Sequence, residues 1–183
     1  MQNTKLKKAW VRLAMLISVG YGTLSPAASL APSSVFVQGG FGDQQTTAYT
    51  AGLTWDLPWY HDFKAGRLGT YAEVAIGRWH TDSGNEATAW PTQISFTPTF
   101  RLYPKRAPHW FAEAGVGVNY IVPLFESGEK RFSTELNFGD HIAIGREFGH
   151  SEVSIRWEHF SNAGIKHPNP GENFGQVRYA YRF

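Results

Sequence analysis

His159 and Ser161 stand two residues apart near the end of an alternating run that begins at Ser151. On a strand, Val153, Ile155, Trp157, His159 and Ser161 share one face, and Ser154, Arg156, Glu158 and Phe160 share the other. Two residues span about 6.5–7 Å of strand, so an imidazole at the first position can reach a hydroxyl at the second. A serine needs such a base, because its hydroxyl alone is a weak nucleophile near neutral pH. The imidazole needs a third group to hold its tautomer. Glu158 is adjacent but points to the opposite face, and Glu152 is at the far end of the run. After His159 the only acidic residue is Glu172, which a hairpin would bring back beside the same strand. The expected constellation is Ser161, His159 and Glu172. The turn of Asn162, Ala163 and Gly164 follows the serine and can aim amides at an oxyanion. Plainer readings stand beside this one. His159 as an interfacial polar residue, Asn162 to Gly164 as an ordinary turn and Glu172 as the partner of Lys166 each account for the same residues.

The elements that must position these residues are strands. Short alternating runs fall at 34–43, 46–57, 67–80, 90–103, 109–121, 134–148, 151–160 and 174–183. Between them lie clusters of Gly, Pro, Asn, Asp and Ser at 42–43, 58–66, 82–85, 104–108, 123–128, 149–150 and 162–173. Most runs supply the roughly 9–11 residues that a membrane-crossing strand needs. In the last one Val177, Tyr179, Tyr181 and Phe183 alternate with Arg178, Ala180 and Arg182, and the terminal aromatic resembles the C-terminal signature of outer-membrane proteins. The predicted fold class is all-β: an eight-stranded antiparallel transmembrane barrel of the outer-membrane type. Glu73, Arg101, Glu113 and Arg156 are then interior charges that need partners. Side chains would fill so small a barrel, which argues against a porin.

The first 31 residues read as a cleaved leader, leaving one barrel domain over 32–183. Lys5, Lys7, Lys8 and Arg12 precede a short apolar stretch, and small residues follow, with cleavage expected between Ala27 and Ala31. Taking those four from 17 basic residues leaves 13 against 15 acidic, a formal −2, and no basic run for nucleic acid. With no cysteine, the exported chain must be held by packing and backbone pairing. The seven histidines show no metal-ligand spacing, so no metal or other cofactor is expected.

From His159 to Gly164, and on through Pro168, Pro170, Gly171 and Glu172, the sequence resembles the C-terminal motif of the lipid A 3-O-deacylases, the PagL family. The resemblance extends to the leader, the eight strands and the terminal aromatic. It implies an outer-membrane esterase that removes the hydroxyacyl chain ester-linked at position 3 of lipid A, with lipopolysaccharide as substrate and outer-membrane lipid as surroundings. It further implies nucleophile, base and acid at Ser161, His159 and Glu172, and an oxyanion site at Asn162 and Gly164. The site would face the lipid on the outer-leaflet side. A homodimer is among the assemblies this pattern allows. Two rival functions are a small non-enzymatic barrel and a lipid A acyltransferase.

Overall fold

Period-two alternation runs through the chain in the computed structural model, which describes residues 31–81, 90–128 and 130–183. Among these residues, eight strands close a barrel: β1 (Ser34–Gly42), β2 (Thr47–Phe63), β3 (Gly66–His80), β4 (Thr92–Pro104), β5 (Trp110–Val122), β8 (Leu136–Phe148), β9 (Ser151–Ser161) and β10 (Glu172–Arg182). Each pairs antiparallel with its neighbours, and β1 closes on β10. Two short strands, β6 (Glu126–Ser127) and β7 (Lys130–Arg131), form a separate hairpin in the β5–β8 connection. The expected leader lies outside the described residues except for Ala31, and so does the expected turn at 82–85.

The wall has the polarity of a membrane barrel. Ile155 and Ile142, on adjacent strands, are 66% and 64% exposed, whereas Arg156 is 1% exposed. Apolar side chains point out and charged ones point in, the reverse of a soluble sandwich. Closure is what makes this tolerable, because each strand of the wall pairs along a neighbour on both sides. Inside, the guanidinium of Arg156 bonds Glu73 at 3.1 Å and Glu113 at 3.1 Å. Arg101 bonds Glu113 and Glu152, each at 2.9 Å, and Arg178 bonds Glu73 at 2.5 Å. The four charges singled out in the sequence are therefore partners of one another, joined by Arg178 and Glu152.

Most strand boundaries fall within two residues of expectation, and the end of β2 differs by more. The break at 58–66 shrinks to a two-residue turn at 64–65, because β2 continues through Pro58 to Phe63. The ladder shifts register between Asp56 and Tyr60, and Pro58 sits inside that shift. A bulge asks for no ladder N–H, so proline can occupy it within a strand.

The connections divide the barrel into two ends. At the end where β1 begins and β10 ends the turns are short, at 64–65, 105–109 and 149–150. At the other end the connections at 43–46, 81–91, 123–135 and 162–171 are mostly longer. Just inside this second end, Trp79 lies against Phe174 and Phe160, with ring centroids 4.8 and 4.9 Å away. Phe125 and Phe132 flank the β6–β7 hairpin and join the same layer, Phe125 at 5.4 Å and Phe132 at 6.4 Å from Trp79. The hairpin is thus pinned to the barrel interior by two buried aromatic rings. Phe160 and Phe174 come from β9 and β10, the strands that carry His159 and Glu172.

Candidate active site

Ser161 ends β9, and His159 lies two residues before it on the outward face shared with Val153, Ile155 and Trp157. The imidazole is half-buried. Its Nδ1 is 2.8 Å from Oδ1 of Asn173, the residue directly opposite on β10. Gly171 closes the other side of the ring. A Cβ there would lie 2.7 Å from His159 Cε1, and the residue has φ +69°, so both space and backbone call for glycine. On β8 the residue opposite His159 is Asp140, which is exposed.

The serine leads into a left-handed turn. Ala163 has φ 54° and Gly164 has φ 78°, and the Ala163 amide is 3.5 Å from Ser161 Oγ. Left-handed geometry is costly for alanine, so the turn must be held from outside. Asn162 does this. Its buried side chain donates to Ser133 Oγ at 3.0 Å and to the Lys166 carbonyl at 2.8 Å, and its Oδ1 accepts from the Gly164 amide at 3.0 Å. The Asn162 amide itself donates to Asn169 Oδ1 at 3.0 Å. Asn162 and Gly164, expected to serve an oxyanion, are joined to each other, and Ala163 supplies an amide 3.5 Å from Ser161 Oγ. Among the described residues Ser161 and His159 make no hydrogen bond to one another. A hydroxyl on a strand end is free to rotate, and such bonds often tighten only with substrate.

Glu172 stands apart from Ser161 and His159. It is fully buried and lies opposite Phe160, on the inward face of β10. Its Oε2 accepts from Lys130 Nζ at 3.0 Å, so its partner is neither His159 nor Lys166. The reason is parity: the outward alternation of Tyr181, Tyr179 and Val177 continues to Asn173 and leaves position 172 inside. The same alternation, carried four residues further back in the sequence, would have identified Asn173. Lys130 also bonds Asp43 Oδ2 at 2.6 Å, and Asp43 accepts from Asn173 Nδ2 at 3.0 Å. Hydrogen bonds from Lys130 and then Asn173 hold the Asp43 carboxyl below its ordinary range. Burial works against the Lys130 ammonium, but its bonds to Asp43 and Glu172 outweigh that and raise it. Asp43, Lys130 with Ser133, and Asn169 come from three different connections, and no local pattern signals them.

A closed barrel with apolar side chains outward and paired charges inside defines a class: a β-barrel protein of the outer membrane. The sequence model of the family described as lipid A 3-O-deacylase (PagL) matches residues 47–182. The chain belongs to that family. It is 35% identical to a lipid A deacylase PagL of Bordetella bronchiseptica over 136 residues, covering 72% of this chain and 74% of that one. A lipid A deacylase PagL of Pseudomonas aeruginosa is 33% identical over 132 residues, covering 70% and 73%. The crystal structure of the outer membrane enzyme PagL superposes with a TM-score of 0.73 at 29% identity, over 82% of this chain and all of that one. A de novo designed transmembrane β-barrel, 9% identical with a TM-score of 0.56 over 86% of this chain, shares the fold alone. Family membership makes this chain an outer-membrane ester hydrolase.

Proposed function

We propose that this protein hydrolyses the 3-O-linked hydroxyacyl ester of lipid A with Ser161 as nucleophile and His159 as base. The observation that carries the reading is the shared outward face of these two residues in a member of this family. His159 Nε2 takes the hydroxyl proton as Ser161 Oγ bonds to the ester carbonyl carbon. The oxyanion is met by the turn after the serine, where the Ala163 amide lies 3.5 Å from Ser161 Oγ. As the intermediate collapses, the sugar oxygen leaves with the proton held by His159. Water then attacks the acyl-serine, gives its proton to His159, and the hydroxy acid departs as Ser161 recovers its hydrogen. The long-loop end of such barrels is the extracellular one, so this site would meet the outer leaflet from the side. The lipid would arrive laterally along the apolar wall beside Trp157. All the residues invoked come from one chain, so no second copy is needed.

Mass spectrometry of lipid A from cells expressing the protein tests the reading. The expected result is loss of one hydroxyacyl chain, abolished by Ser161→Ala. Unchanged lipid A would favour a non-enzymatic barrel, and gain of a chain would favour acyl transfer.

A further inference from the structure

The histidine of a serine hydrolase needs one specific tautomer. If Nε2 is to accept the serine proton, Nδ1 must carry a hydrogen and donate it. In this protein the group at Nδ1 is the amide of Asn173, at 2.8 Å. An amide can accept through oxygen or donate through nitrogen, so by itself it would not choose the tautomer. Its orientation is chosen one link further on. Asn173 Nδ2 lies 3.0 Å from Asp43 Oδ2. An ionised carboxylate only accepts, so the amide must present nitrogen to Asp43 and oxygen to His159. Asp43 is kept ionised by Lys130 Nζ at 2.6 Å, and an ammonium only donates. Lys130 is in turn shared with the buried Glu172 at 3.0 Å. Each link thus has one allowed direction, and the series ends with a hydrogen on Nδ1 and a lone pair on Nε2.

We infer that Asn173 is the positioning residue for His159, and that Asp43, fixed by Lys130, sets the direction of the Asn173 amide. This rests on the reading of His159 and Ser161 as base and nucleophile. It assigns Glu172 a supporting role, as the inward counter-ion of Lys130. The three supports come from different parts of the chain. Asp43 lies in the 3-10 turn Asp43–Gln45 between β1 and β2, Lys130 opens β7, and Glu172 opens β10. The hairpin bearing Lys130 is held by Phe125 and Phe132, so the series is anchored to the aromatic layer inside the barrel. The charged group beside His159 on its other flank is Asp140 of β8, which is exposed and opposite it in register. The geometry favours Asn173 over Asp140, because only Asn173 bonds the ring.

Steady-state kinetics and pH profiles on the full barrel in detergent with lipid A test this. Asn173→Ala should lower kcat by roughly 10- to 100-fold, the size typical of losing an orienting partner, with KM changed little. Asn173→Asp should keep part of the activity and move the acidic limb of kcat/KM to higher pH, because a carboxylate at Nδ1 favours the protonated ring. Adding Asp43→Asn to that variant should recover activity, since a donor would then face the new carboxylate. A merely structural role for Asn173 would produce neither the shift nor the recovery. Wild-type kcat and pH profile in folded Asn173→Ala would overturn the inference. So would Glu172→Gln or Asp140→Asn losing as much activity as Ser161→Ala. Full activity in Ser161→Ala would instead sink the serine-hydrolase reading itself, so the two failures are separable.

Discussion

Arg156 inside the barrel and His159 on its outer wall are three residues apart on one strand, yet their surroundings follow different rules. Arg156 belongs to a redundant network. It reaches two carboxylates, Glu73 is also held by Arg178, and Glu113 is also held by Arg101. Charge is neutralised several times over, as a low-dielectric interior demands. His159 ends a series in which each hydrogen bond has one direction: Lys130, Asp43, Asn173, then the imidazole. Redundancy suits stability, because losing one bond leaves others. A series suits orientation, because every link constrains the next. Damage inside the wall should therefore be read in folding, and damage at the rim in turnover.

The sharpest break in this comparison is at the nucleophile. Ser161→Ala removes one half-exposed hydroxyl at a strand end and should leave a folded barrel, judged by resistance to unfolding in detergent electrophoresis. Activity should fall by several orders of magnitude. His159→Asn should match it, and the double variant should be little worse than either. Losses that multiplied would mean that the two residues do not act as a unit.

Gly171→Ala comes next. It places a methyl 2.7 Å from His159 Cε1 and strains a backbone at φ +69°. A displacement of the ring by about an ångström should cost on the order of 100-fold in kcat. An alanine variant turning over at the wild-type rate would show that the imidazole is not confined by this loop.

Arg156→Leu tests the other side of the comparison. It strips a guanidinium from Glu73 and Glu113 and should destabilise the barrel by about 3–5 kcal/mol in a urea titration. The fraction that folds should keep near-normal turnover, because no link of the His159 series passes through Arg156. Glu158→Ala is a milder version. Glu158 is buried on the inward face and accepts from Gln176 at 2.6 Å. Some stability should be lost and the chemistry spared. Inactivity with intact folding in either variant would join the two networks.

The smallest effect concerns pH. The Asp43 carboxyl is lowered from its ordinary 3.8, mainly by its hydrogen bond from Lys130, so the link is whole above that value and is lost as pH falls through the lower folded value. Lys130 is raised from its ordinary 10.5, so its contribution is whole below 10.5 and is lost as pH rises through the higher folded value. Protection of the β6–β7 hairpin from proteolysis should fall as pH drops below the first limit and as it rises above the second. Because the pair is partly exposed, the change should be modest. Protection unchanged at both limits would show that the Asp43–Lys130 pair is not the tether.

Much of this was legible before any fold was known. The period of two sorts His159 and Ser161 from Arg156 and Glu158, and it marks Glu73, Arg101 and Glu113 as interior charges. A strand's own geometry imposes that sorting, so it needs only local sequence. The same rule carried back from Tyr181 puts Asn173 outside and Glu172 inside. The bulge at Pro58 was hidden because proline ordinarily ends a strand, and only pairing with β3 shows the ladder passing over it. What tertiary structure alone decided is the company His159 keeps. Asp43 and Lys130 are 87 residues apart and meet Asn173 only because β1 closes on β10 and buried phenylalanines pull the hairpin into the barrel mouth. A side chain's face is set within its own strand, but a partner brought by another loop depends on closure of the whole wall, which no local pattern encodes.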